Sequence, residues 1–452
     1  MFRKKLLGDQ EPWLMKYESS MEEDREIVFE VLTTLKIHVE ELKNQKLINN
    51  EQFKKIIEAL NKLEGNVDKV FENEAEDIHE AIEIELEKMI GEEAKLISLG
   101  KSRNDHVSTA IKLHTIKEIN EIIDEINRFR RVLLKKSKEN LETIMPSFTH
   151  LQSAQPTTLA HYLMYIEEEM EEYQKILKYV NDEVINKSPL GAGAITGSII
   201  SIDRKRMAEK LKMKSIEVNT IKATGSRSFM VITSSILTAL QITLSRIAED
   251  LIIWSTNQFN YIQLPDNHLA TSSLMPHKRN PVTMEIIRAQ AGEAIGGNTA
   301  IMTILKGLPS GYNLDLQEAT KHLWNIIKNI KDSLKVMCDA MKNMKINIRR
   351  MRQDVENTPV IATEVAEYIS FKYNIPYRRI HEAMAEALKE AKNDIYEALE
   401  ILRKRLELKE NIPMRIQEYV KMKENLGSPN PNQLIKIIEE KERILGNIEL
   451  SR

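Results

Sequence analysis

Apolar residues recur at intervals of three and four along almost the whole chain, and the strict alternation of a half-buried strand is nearly absent. That periodicity predicts an all-α protein. Residues 20–63 read as two amphipathic helices broken near Asn44–Asn50. An acidic turn follows at Asn73–Asp77, and His79–Ile90 resumes the helix. Gly100 interrupts the pattern before KSRNDHV, residues 101–107. A run without Gly or Pro then extends to Pro146, with Ile116, Ile119, Ile123, Ile126, Phe129 and Leu133 on one face. A second such run goes from Ser226 to Leu264, with Leu240, Leu244, Ile247, Leu251 and Trp254 on a stripe. A third follows Pro281, whose fixed φ suits the opening of a helix. There Ala289, Gly292, Gly296 and Ala300 form a small-residue stripe that lets another helix come close. Three long helices with single stripes imply a bundle, one that several copies of the chain can share. From about residue 350 the chain becomes more charged, with shorter helices separated by Pro376, Pro413 and the GSPNP turn at 427–431. The expected organisation is three helical domains: 1–101, a central long-helix bundle over 102–350, and a small domain over 351–452.

Composition changes this picture little. The 452 residues are 42% hydrophobic and 29% charged with a net charge of -3, a soluble globular balance with no basic excess for nucleic acid. The single cysteine, Cys338, excludes an internal disulfide framework, suits a reducing cytoplasm and reads as a packed core thiol. The start, MFRKKLLGDQEPW, lacks the apolar core of a signal peptide. The uncharged run Phe229–Leu244 is too short to span a membrane and reads as a buried helix. GAGAITG at 191–197 spaces its glycines one residue too widely for a dinucleotide fingerprint. No two histidines stand at i, i+4 and no Cys/His ligand spacing occurs, so no metal is expected.

Candidate chemistry gathers in four stretches. TSSLMPHKRNPVTME, 271–285, offers Ser272, Ser273, Lys278, Arg279 and Asn280 in front of a helix N-terminus, a setting suited to carboxylates. KSRNDHV joins the five-donor fork of Arg103 to the amide of Asn104. Taken alone it also fits a capped helix start, with Asp105 as a capping residue. SFTHLQSAQPTTLAHYL, 147–163, concentrates Thr149, His150, Gln152 and Gln155 just before a helix. KGLPSGYNLDLQE, 306–318, is a polar loop carrying Tyr312, Asn313 and Gln317.

In order along the chain, EDIH (76–79), SRND (102–105), THLQ-x-AQP (149–156), SPLGAGA (188–194), SSLMPxKRNP (272–281) and KGLPxxYNxDLQE (306–318) resemble the argininosuccinate lyase family of the aspartase/fumarase superfamily. AEDLIIWST, 248–256, is similar as well. The resemblance runs from about residue 74 to about 325. It implies a cytoplasmic homotetramer around a helical core, with sites built from three subunits and no cofactor. The implied reaction is reversible cleavage of argininosuccinate to arginine and fumarate, the last step of arginine biosynthesis. It makes Ser272 the general base, and His150 the acid or its relay with Glu285 bonded to it. Lys278 stabilises charge. Arg103, Asn104, Thr149, Asn280, Tyr312, Gln317, Ser273 and a further histidine, His79, fall at substrate-binding positions. A mobile 268–280 loop is implied too.

Several positions depart from the family pattern. Thr271 stands where Gly is usual, and Thr320 replaces a lysine expected near the arginine end of the substrate. Lys101 and His106 stand for Arg and Gln, and Ser228, after Arg227, for an aspartate. N-terminal substrate contacts fall to Ser19 or Ser20. Rival readings are adenylosuccinate lyase, whose signature MPHKRNP matches equally well, and a catalytically silent, crystallin-like structural member.

Overall fold

The computed structural model describes residues 8, 10–408 and 412–450. The all-α expectation holds, and every described strand belongs to a two-stranded pair. The principal helices are α1 (Val28–Asn44), α2 (Asn50–Glu64), α3 (Ile78–Ile90), α4 (Arg103–Glu139), α5 (Leu159–Tyr179), α6 (Ser228–Ser255), α7 (Val282–Leu305) and α8 (Asp315–Asn343). Asn49 and Asp77 cap α2 and α3 with side-chain oxygens, satisfying N–H groups that the first helical turn leaves unpaired. The stripes read on α4 and α6 are buried, except that Ile116 is only partly so. Ile119, Ile123, Ile126, Phe129 and Leu133 of α4 are all at most 3% exposed. Leu240, Leu244, Ile247, Leu251 and Trp254 of α6 are at most 5% exposed. Helix α6 is long and apolar enough for a membrane by length and composition, with 56% of its most apolar stretch buried in the chain's own core.

Two features add to the sequence reading. The proline-free run that ends at Pro146 is not helical throughout: α4 stops at Glu139, and residues 144–158 form an antiparallel hairpin, β1 (Ile144–Thr149) with β2 (Gln152–Thr158). The small-residue stripe of α7 is turned outward. Met284, Ile287, Ala291, Ala294 and Ile301 pack inward instead, while a Cβ on Gly292 or Gly296 would meet nothing within 4 Å.

The chain divides into two compact units, each built from three separate stretches. The first comprises Met1–Ile123, Lys175–Leu240 and Ala291–Lys331; the second comprises Asp124–Gln174, Gln241–Gln290 and Asp332–Arg452. Within the first, Lys112 is sealed in an ion pair with Glu217 at 2.9 Å. Within the second, Glu167 is completely buried between Arg130 at 2.7 Å and Lys441 at 2.8 Å. The shorter helices after residue 350 close over their own core of Val365, Ile369, Ile380, Leu399, Leu402 and Val420.

Candidate active site

A cavity in the first unit collects six of the sequence candidates: Ser20, His79, Arg103, Asn104, Tyr312 and Gln317. Arg103 and Asn104 open α4, and Ser102 caps it by accepting from the Asn104 N–H at 3.2 Å. Asp105 is not the cap itself. One of its oxygens accepts from the Ser102 N–H at 3.2 Å, the reciprocal half of a capping box. Its other oxygen accepts from the Gly191 and Gly193 N–H groups at 2.9 and 3.0 Å. That grip explains GAGAITG. Gly193 has φ +64°, and a Cβ there would lie 2.7 Å from the Gly197 carbonyl, so the loop folds around a carboxylate only if glycine occupies that position. Burial pushes Asp105 up to about 6 despite those bonds.

Side chains in this cavity are held by their own neighbours. Arg103 donates to Glu76 at 3.0 Å and Asp77 at 3.1 Å. Asn104 donates to the Ala194 carbonyl at 3.0 Å, and Gln317 to the Glu18 carbonyl at 2.9 Å. His79 is 1% exposed, and neither ring nitrogen has a partner among the described residues. Burial, with the Lys101 charge, drives it down to about 3. Behind it stand His106, ring centroids 6.4 Å apart, and then His38, a further 5.3 Å on. The departures Lys101 and His106 thus belong together: the Lys101 ammonium is tied to Glu83 at 2.6 Å beside three neutral imidazoles.

Two groups of candidates lie in the second unit. Residues 270–280 form a short hairpin in which Ala270 pairs with Asn280 and Thr271 with Arg279. Ser272, at the start of its loop, accepts from two backbone N–H groups, Leu274 at 3.2 Å and Met275 at 3.0 Å. Ser273 and Lys278 are exposed, as is Leu274 at 84%. Helix α7 opens one residue after Pro281, whose carbonyl accepts from Met284 and Glu285. Glu285 therefore sits in the first turn, exposed. The other group is the tip of the β1–β2 hairpin, where Thr149 and His150 are exposed. His150 and Leu151 both have positive φ, +55° and +59°, in a two-residue turn normally given to Asn or Gly. Such local strain clusters at functional sites. Among the described residues no hydrogen bond joins His150 to Glu285, Ser272 or Lys278.

Sequence reading missed three residues. His268 is 4% exposed and bonds Thr283 and Asp339, both at 2.9 Å, pinning the base of the 270–280 hairpin to α7 and α8. A lone His outside every motif gives no signal. Asp24, also lining the first unit's cavity, accepts from Ser20 Oγ at 2.8 Å and the Ile78 N–H at 3.2 Å. Burial pushes it up to about 7. Arg227, noted only for its altered neighbour Ser228, lines the same cavity at 3% exposure.

Residues 7–296 match a family model described as lyase. The chain is 45% identical to an argininosuccinate lyase of Pyrococcus furiosus, over 97% of this chain and 94% of that protein. It is 44% identical to one of Sulfolobus acidocaldarius, over 97% and 92%. In fold it is similar to an EDDS lyase variant with bound fumarate, TM-score 0.83 at 22% identity, covering 94% of this chain and 87% of that one. A class II fumarase from Schistosoma mansoni aligns with TM-score 0.73 at 16% identity, over 85% and 87%. The chain belongs to the argininosuccinate lyase family of the aspartase/fumarase superfamily.

Proposed function

We propose that this chain cleaves argininosuccinate reversibly to L-arginine and fumarate, without a cofactor, in a homotetramer in the cytoplasm. The observation that carries the reading is Ser272. Two backbone N–H groups already point at its hydroxyl oxygen. Donors to the charged form of an acid lower its pKa, so they favour the alkoxide that a serine base requires. In this reading the alkoxide takes the proton from the succinyl carbon beside a carboxylate, giving an aci-carboxylate. Lys278, Asn280 and the N-terminus of α7 stabilise that added charge. The carbon–nitrogen bond then breaks, and the departing guanidino nitrogen takes a proton from His150, held in orientation by Glu285. Arg103, Asn104, Thr149, Tyr312, Gln317, Ser273 and His79 bind the substrate.

Exposure supports assembly from several copies. Ser272 and Glu285 stand on one hairpin and helix start, His150 on another hairpin, and none bonds to another within the chain. The outer face of α7 presents Ile286, Ile295 and Met302 at 58%, 47% and 41% exposure. An apolar face of that kind marks an interaction surface. Leu274 and Met275 on the loop ask for cover as well, which fits a loop that closes over substrate. The segments 1–101, 102–350 and 351–452 remain our proposed domain division by sequence.

The test is fumarate release followed by absorbance with argininosuccinate and, separately, adenylosuccinate. Release from argininosuccinate is expected; release from adenylosuccinate alone sinks the assignment.

A further inference from the structure

Charge in the first unit's cavity is left unbalanced. Two guanidinium groups line it. Arg103 is already neutralised by Glu76 and Asp77. Arg227 is not. Its Nη1 donates to Ser108 Oγ at 3.3 Å and to the Thr224 and Ser226 carbonyls, both at 3.2 Å. All three are long bonds to neutral oxygens. Its Nε has no partner, and no carboxylate among the described residues reaches it. Burial pushes Arg227 down only to about 10, so it stays charged at neutral pH. A cation buried without a counter-ion is costly unless an anion arrives to meet it.

The rest of the wall narrows what that anion is. Glu23, Asp24, Glu76 and Asp77 line the same cavity, so that acids outnumber its two guanidinium groups even without Asp24, which burial raises to about 7. The Tyr312 phenol lies within electrostatic reach of Asp24, Glu76, Asp77 and Arg227. A succinyl group, with two carboxylates and no cation, meets repulsion there. An α-amino acid carries an ammonium beside its carboxylate, and so offers one charge to the acids and the other to Arg227. Resting on the lyase reading above, we propose that Arg227 binds the α-carboxylate at the amino-acid end of the substrate and sets specificity for that end.

The experiment compares L-arginine with agmatine, the same molecule without the carboxylate, each binding to the whole enzyme by calorimetry and inhibiting fumarate release. The wild-type protein should bind L-arginine roughly 30- to 100-fold more tightly, the usual worth of a buried charge-assisted contact. Arg227→Met should bring the two ligands to within about threefold of each other, with succinate binding unchanged. Should Arg227→Met fail to fold, Arg227→Lys keeps the charge without the two-point fork and should give an intermediate ratio. The proposal is overturned if wild-type enzyme shows no preference, if the preference survives in a folded variant, or if succinate binding is what the variant loses. Absence of fumarate release from argininosuccinate would instead remove the lyase reading, while calorimetry still reports the preference for the carboxylate.

Discussion

Ser272 is the residue whose surroundings most directly fit its proposed task, since its oxygen accepts two N–H bonds before any substrate is present. Ser272→Ala should lower the rate of fumarate release by at least about a hundredfold, the scale set by losing a reacting group or its stabilising donors. Its melting temperature should fall by only a few degrees, because the substitution removes just the two hydrogen bonds that the half-buried hydroxyl accepts within its own loop. An unaltered rate would take the base role from Ser272. The histidine trio makes a different kind of prediction. His38 is pushed down to about 4 and His79 to about 3, both chiefly by burial, and His106 falls well below its ordinary value. Between pH 6.5 and 4 the unfolded chain binds protons that the folded chain refuses. Their contribution to stability is therefore complete above pH 6.5 and is lost as pH falls through that window. Asp24 and Asp105, raised to about 7 and about 6, act with the opposite sign, losing stability as pH rises. The comparison must thus be between variants: His106→Gln should flatten the acid limb of denaturant stability by up to about 1.4 kcal/mol per pH unit, one proton's worth. Parallel curves for the two proteins would contradict that account.

At the scale of elements, the β1–β2 turn and the Glu167 network are the informative cases. Leu151 is 67% exposed at φ +59°, so its side chain gains little from burial while its backbone sits in the left-handed region. Leu151→Gly should leave stability unchanged or raise it by about 1 kcal/mol in urea unfolding. A marked loss would mean the leucine is covered in the assembled protein. Glu167 has no exposed surface and two cations on it. Arg130→Met leaves a buried carboxylate with one partner fewer and should cost about 3–5 kcal/mol in the same measurement. An effect below about 1 kcal/mol would show that Lys441 alone is enough.

For the molecule as a whole, our proposal of a site shared between copies makes the outward face of α7 the surface to test. Ile295→Arg places a charge in the middle of Ile286, Gly292, Gly296 and Met302. It should shift sedimentation from a tetramer to smaller species and remove fumarate release together, with helical content retained. Dissociated protein that kept full activity would exclude a site shared between copies.

The all-α class, the long helices and their buried stripes were legible in the order of residues because a helix buries one face at a fixed spacing, whatever it packs against. The motif stretches were legible too, since each joins rare residue types in a short run. Local sequence could not assign the inner face of α7. Ala289, Gly292, Gly296 and Ala300 form as regular a stripe as the one that packs inward, and only the neighbouring helices choose between them. Nor could it show the β1–β2 hairpin, whose turn residues, His150 and Leu151, are ones that local propensity places elsewhere. The pairing of Asp105 with Gly191 and Gly193, the histidine trio and the uncompensated charge of Arg227 depend on residues tens of positions apart. Sequence supplied the chemical groups; tertiary packing decided which are neutralised, and that follows from burial and distance, which no single stretch of chain encodes.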